Sequence, residues 1–256
     1  MLSPDDVARA LANDAPMSAP APPPVRTGGG PNPYIMFKAM GENDILLLFG
    51  KTKAGKSRIC ITTAIAARQI GKRVVYYDTE KNIHKSAVDA LVAAGVDYRP
   101  TMHLKDIYRN LNNIQADLLV IDSATIGITG KWFDSDMSEH GQLLLEVQHL
   151  YYQLKIWTEK NKSLAMIVAQ PISEFGDREF APMGDKSNFL VKEIFWVDRQ
   201  RGPDYRTTRR EIRAFDSRVL PDSVVIAQFE TTPVGVSFTR WGPEVQAIAD
   251  KYGGIK

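Results

Sequence analysis

One octapeptide limits the folds open to this chain. Gly50-Lys51-Thr52-Lys53-Ala54-Gly55-Lys56-Ser57 fits G-x-x-x-x-G-K-[ST] in full and follows directly on the apolar run Ile45-Leu46-Leu47-Leu48-Phe49. A buried strand, a tight loop and a helix opening at Lys56 form the context that makes this pattern a phosphate-binding loop. The turn aims backbone N–H groups at phosphates, and the helix N-terminus adds its dipole. On this reading Lys56 reaches the β- and γ-phosphates and the Ser57 hydroxyl holds Mg²⁺. The expected ligand is a nucleoside triphosphate, cradled by residues 50–57.

Composition narrows the setting. A chain of 256 residues is long enough for one large core, and nothing requires a second. The net charge of +2 announces neither a nucleic-acid nor a membrane partner, so any basic surface is local. The single cysteine, Cys60, excludes an internal disulfide, and its place after the phosphate loop predicts a packed thiol. No apolar run is long enough to span a bilayer, and the first residues lack the apolar core of a signal peptide. A cytoplasmic protein without membrane contact is expected.

The chain divides near residue 33. Ser3-Pro4-Asp5-Asp6 reads as the start of a short helix running to about Asn13. Ala15 to Pro33, with Pro22-Pro23-Pro24 and Gly28-Gly29-Gly30, reads as a linker that cannot pack a core. The first helix is either a frayed tail or a tethered peptide for a partner or neighbouring subunit. From Tyr34 to the end, 34–256, one catalytic core is expected.

Within that core, strands are predicted at Ile45–Phe49, Arg73–Asp78, Leu118–Ile121 and Leu164–Ala169. Helices are predicted at Gly55–Gln69, about His84–Ala94, about Leu104–Asn113 and Gly141–Lys160. Short apolar runs separated by helices mark a parallel sheet buried on both faces. Beyond Asn188 alternating patterns at Leu190–Asp198, Thr207–Phe215, Ser223–Phe229 and Val234–Thr239 read as an antiparallel extension. The fold class is α/β, a mostly parallel sheet with antiparallel C-terminal strands.

Ligands of such sheets lie beyond the carboxyl ends of the strands. Those ends carry Asp78-Thr79-Glu80, Asp122-Ser123 and Gln170 besides the phosphate loop. Asp122 has the placement of a Walker B aspartate, a second holder of Mg²⁺. Glu80 suits a general base, or a residue that orients water, for attack on the γ-phosphate. Gln170 is placed to sense that phosphate. The bland readings are a helix-capping acid for Asp122 or Glu80 and a strand-end amide for Gln170.

The sequence resembles the RecA/RadA recombinase family of P-loop ATPases. The likeness runs from about Gly41 to Thr239 and rests on VVYYDTE, LLVIDS, IVAQ and EIRAFDSRVLPDSVVIAQFETTPVGVSF. It implies a RecA-like core in which Lys56, Ser57, Glu80, Asp122 and Gln170 take the family's functional positions. Arg213 matches a family lysine. Asp216 matches an aspartate that in filaments approaches the ATP of the neighbouring subunit. A homo-oligomer with ATP between subunits is therefore implied, with single-stranded DNA as partner in recombination, repair or annealing. Arg58 stands where the family has a small hydroxyl. The family's N-terminal domain and its F-x-x-A tether have no counterpart here, Phe37-Lys38-Ala39 being differently spaced. The plan is closer to short phage and archaeal relatives.

Two segments, about Gly127–Gly141 and Pro171–Lys186, would face DNA on that plan. They carry Trp132, Phe133, Phe175 and Phe180 for stacking yet lean acidic. The cations concentrate later, in Arg199, Arg201, Arg206, Arg209, Arg210, Arg213 and Arg218. These read as a solvated hairpin face paired with Asp204 and Glu211, as a phosphate-backbone contact, or as arginines delivered to the next subunit's ATP. Three alternatives stay open: a ring-forming helicase or KaiC-like regulatory ATPase, a ParA/MinD-like switch using Lys51 and Lys56, and a scaffold that only binds nucleotide.

Overall fold

A computed structural model describes residues 30–101, 103–124, 137–170, 172–173, 179–180, 190–201 and 208–252. Asn32 opens the first helix, α1 (Pro33–Gly41): its side chain accepts from the backbone N–H groups of Tyr34 and Ile35, and Pro33 occupies the first turn. This helix is absent from the sequence reading, which placed Pro33 in the linker. It buries Tyr34, Met36, Phe37 and Met40. Phe37 meets Phe238 and Trp241 edge-on, with centroids 6.2 and 5.7 Å away.

The chain then runs β1 (Ile45–Phe49), α2 (Lys56–Gln69), β2 (Val74–Asp78), α3 (Lys85–Ala93), β3 (Asp97–Pro100), α4 (Leu104–Asn110) and β4 (Leu118–Asp122). It continues with α5 (Met137–Asn161), β5 (Leu164–Ala169), β6 (Ile172–Ser173), β7 (Glu179–Phe180), β8 (Glu193–Arg201), β9 (Thr208–Ser217), β10 (Val225–Thr231), β11 (Val236–Trp241) and α6 (Pro243–Tyr252). The main sheet has nine strands in the order β11-β10-β9-β8-β1-β5-β4-β2-β3. β6 and β7 pair separately.

Every residue of β1, β2, β4 and β5 is buried, as continuous apolar runs require of strands covered on both faces. Their alternation splits the core in two. Leu46, Leu48 and Val120 face a cluster with α1 and α2, while Ile45, Leu47 and Ile121 face one with α5. Each fully buried leucine stabilises the fold by about 1.5–3 kcal/mol relative to an exposed one.

Four features differ from the expectation. β8 pairs in parallel with β1 (Leu48 opposite Phe195) and antiparallel with β9, so in the main sheet only β9 and β10 are antiparallel to both neighbours, and the edge strand β11 to its one. β3 is a polar edge strand with no buried residue, so it has no apolar signature to read. α6 begins at Pro243 with Glu244 in its first turn and buries Val245 against the first cluster. The long helix starts at Met137 rather than Gly141, inside the first expected DNA-facing segment. The remainder of that segment, most of the second, and the helix and linker expected before residue 30 lie outside the described residues. No helix among the described residues is long and apolar enough to cross a membrane.

Candidate nucleotide site

Residues 50–55 turn the chain from β1 into α2. Gly50 has φ +150, and a Cβ there would lie 2.2 Å from the Val197 carbonyl oxygen on β8. Gly55 has φ +118 and would place a Cβ 2.9 Å from the Phe229 ring on β10. Both positions combine a backbone that L-residues rarely adopt with a neighbour that leaves no room. The loop is thus held between its own helix and the C-terminal strands.

Lys56 opens α2 and is buried. Its ammonium donates to the carbonyls of Gly50, at 2.5 Å, and Lys51, at 3.0 Å. Burial lowers its pKa, against the opposing pull of Asp122 and Glu80. Beside it, the Ser57 hydroxyl donates to Oδ1 of Asp122 across 3.2 Å, and the Tyr76 hydroxyl donates to Oδ2 at 2.7 Å. Burial pushes the Asp122 carboxyl up to about 6, although those two hydrogen bonds favour its charged form. A hydroxyl and a carboxylate at this separation fit a hard, oxygen-seeking ion such as Mg²⁺, which completes its shell with phosphates and water.

Glu80 lies just past β2. Thr79 ties that strand end to β4: its hydroxyl donates to the Ser123 carbonyl at 2.6 Å and accepts from the Ser123 N–H at 2.8 Å. The Glu80 carboxylate then accepts from the Ser123 hydroxyl at 2.8 Å and the Asn82 amide at 2.6 Å. Two donors fix its orientation while it stays half-buried.

A cavity of about 600 Å³ joins these groups. Of the residues singled out from sequence, Thr52, Lys53, Gly55, Lys56, Ser57, Arg58, Glu80 and Gln170 line it. Gly50 and Lys51 hold the lysine through their carbonyls, Ala54 is buried in the core, and Asp122 sits behind Ser57. Arg213 and Asp216 do not line the cavity. Arg213 is opposite Trp196, a residue packed on the α5 side of the sheet, and binds Glu211 and the Ser223 carbonyl.

Other lining residues escaped the sequence reading. Arg199 and Arg210, counted there only within a basic stretch, both face the cavity, as do Asn82, His84 and the turn Pro233-Val234. The alternation of β8 and β9 carried the signal: Arg199 and Arg210 share the face of buried Val197 and Ile212. Cys60 is packed as expected, with burial raising its thiol pKa well above the ordinary value.

Strand order, the phosphate loop after a central strand and the antiparallel C-terminal strands define a RecA-like α/β core. Two of the solved structures that share it serve as examples. The RadB recombinase superposes with a TM-score of 0.59 over 78% of this chain and 93% of its own, at 18% identity. The KaiC-like protein PH0186 from Pyrococcus horikoshii OT3 gives 0.54 over 78% and 90%, at 19% identity. No protein-family model matches the chain, and no curated protein matches it.

Proposed function

We propose that this chain is a Mg²⁺-dependent ATPase that acts on single-stranded DNA in recombination, repair or strand annealing, as an oligomer with ATP at subunit interfaces. One observation carries the ATPase part: Lys56, Glu80 and Gln170 bound a single cavity, with Asp122 hydrogen-bonded to the Ser57 that opens it. In this reading residues 50–58 hold the phosphates, Lys56 and Gln170 meet the γ-phosphate, and Glu80 orients water or accepts its proton. Ser57 and Asp122 would hold Mg²⁺, whose chemistry when bound is to neutralise phosphate charge.

The DNA and assembly parts rest on other grounds. One structural neighbour is a recombinase. Arg213 and Asp216 stand away from the chain's own cavity, where a neighbouring subunit's nucleotide is the partner that fits their resemblance. The decisive measurement is phosphate release with and without single-stranded DNA at low salt, where phosphate contacts are strongest. DNA should stimulate turnover and Lys56→Ala should abolish it. Identical turnover in both conditions removes DNA from the proposal.

The second reading, a ring-forming helicase or regulatory ATPase, draws on the likeness to a KaiC-like protein. Negative-stain images separate them, since closed rings support this reading and helical filaments the first. A protein partner for the helix expected before residue 14 belongs to the proposal as well.

A further inference from the structure

We infer that Arg199 and Arg210 form a second anion-binding wall in the chain's own cavity, one that takes the α- and β-phosphates of the bound nucleotide in cis. The inference rests on the nucleotide-binding reading above and deepens it.

The two arginines are direct cross-strand partners on β8 and β9. Like charges placed opposite each other on one face are destabilising unless something compensates. Elsewhere in this protein, buried acids meet cations: Asp44 pairs with Lys155 and Arg218, and Glu211 with Arg209 and Arg213. Among the described residues, Arg199 and Arg210 form no ion pair, and the buried Nε of each makes no hydrogen bond. Both line the phosphate-loop cavity with Arg58, and Glu80 is the one acid among the described residues of that lining. Burial, then the charges of Arg199 and Arg58, depress the Arg210 pKa. A half-buried cation pair that meets no counter-charge among the described residues, at the rim of a phosphate loop, is suited to an anion.

Sheet order decides which phosphates. β5, β4 and β2, which deliver Gln170, Asp122 and Glu80, lie on one side of β1; β8, β9 and β10 lie on the other. Phe229, the β10 partner of Arg210, packs on Gly55. The arginine wall therefore flanks the loop away from the metal and the attack side. Its contacts are ones that ATP and ADP share, so it contributes uniform binding and retains product.

The experiment uses the full chain. Binding of fluorescent ATP and ADP analogues and steady-state hydrolysis are measured for wild type, Arg199→Ala, Arg210→Ala and both lysine variants. Each alanine variant should lose roughly tenfold or more in affinity for both nucleotides, as removal of a charge-assisted hydrogen bond predicts. The loss should appear in KM, with kcat unchanged or raised. Lysine keeps the charge but not the planar fork and should fall between. Unfolding midpoints of the nucleotide-free variants should equal or exceed the wild type, because repulsion is relieved. A lower midpoint marks a structural role and overturns the assignment. So does unchanged affinity, a loss confined to ATP, or a loss of oligo-dT binding with nucleotide affinity intact. If wild type binds neither nucleotide, or Lys56→Ala leaves binding unaltered, the parent reading falls and takes this one with it.

Discussion

Oδ1 of Asp122 stands 3.2 Å from the Ser57 hydroxyl, joining the last residue of β4 to the first turn of α2. That contact brings together the two side chains proposed to hold Mg²⁺, and it sets the first test. Ser57→Ala should raise the Mg²⁺ concentration for half-maximal hydrolysis by roughly tenfold, and Asp122→Ala should remove the Mg²⁺ response altogether. A Mg²⁺ titration of phosphate release measures both.

Acidity should act on the same carboxyl. Burial raises Asp122 from an ordinary 3.8 to about 6 in the fold. Between those values the folded protein holds a proton that the unfolded chain has lost. The stability this proton gives is full below the lower value and disappears as pH rises through about 6, a change on the order of 2–3 kcal/mol. Comparing wild type with Asp122→Asn across pH 4–7 by thermal unfolding isolates it from other carboxylates. Mg²⁺ needs the charged form, so metal-dependent nucleotide binding should weaken as pH drops below about 6.

Ser123→Ala removes one of the two donors that orient Glu80. If Glu80 works on the attacking water, kcat should fall about tenfold with KM little changed, since an interaction with a charged group is lost at the reacting end. Steady-state kinetics of this single variant would expose a purely capping role for Glu80 through an unaltered kcat.

Gly50→Ala should destabilise the protein by more than about 2 kcal/mol, because its Cβ would enter the Val197 carbonyl at a φ that alanine avoids. Chemical denaturation checks this. Gly71→Ala is the contrast: its φ of +77 carries strain, but no atom lies within 4 Å of the added Cβ. It should cost less.

Much of the core was legible because its signals are local. The run Ile45–Phe49 needs no partner to be read as a buried strand, and residues 50–57 carry their purpose in consecutive positions. Asp122 and Gln170 could be placed because each ends an apolar run. What escaped depends on pairing between distant segments. That Tyr76 bonds Asp122 follows from the β2–β4 register, which places the two strands side by side. That Arg199 meets Arg210 follows from the register of β8 against β9; alternation places each arginine on a face, but only the pairing sets them opposite each other. The parallel pairing of β8 was hidden for the same reason: its sequence alternates like a strand of a hairpin, which on its β9 side it is.

That double membership of β8 makes the last quarter of the chain inseparable from the rest. Cutting the protein before Glu193 would strip β1 of one of its two hydrogen-bonded neighbours and leave Gly50 with no carbonyl to rest against. The remnant would present a bare, fully apolar strand edge directly beside its phosphate loop, a template for self-pairing. A shortened version should therefore precipitate instead of persisting as a minimal nucleotide binder.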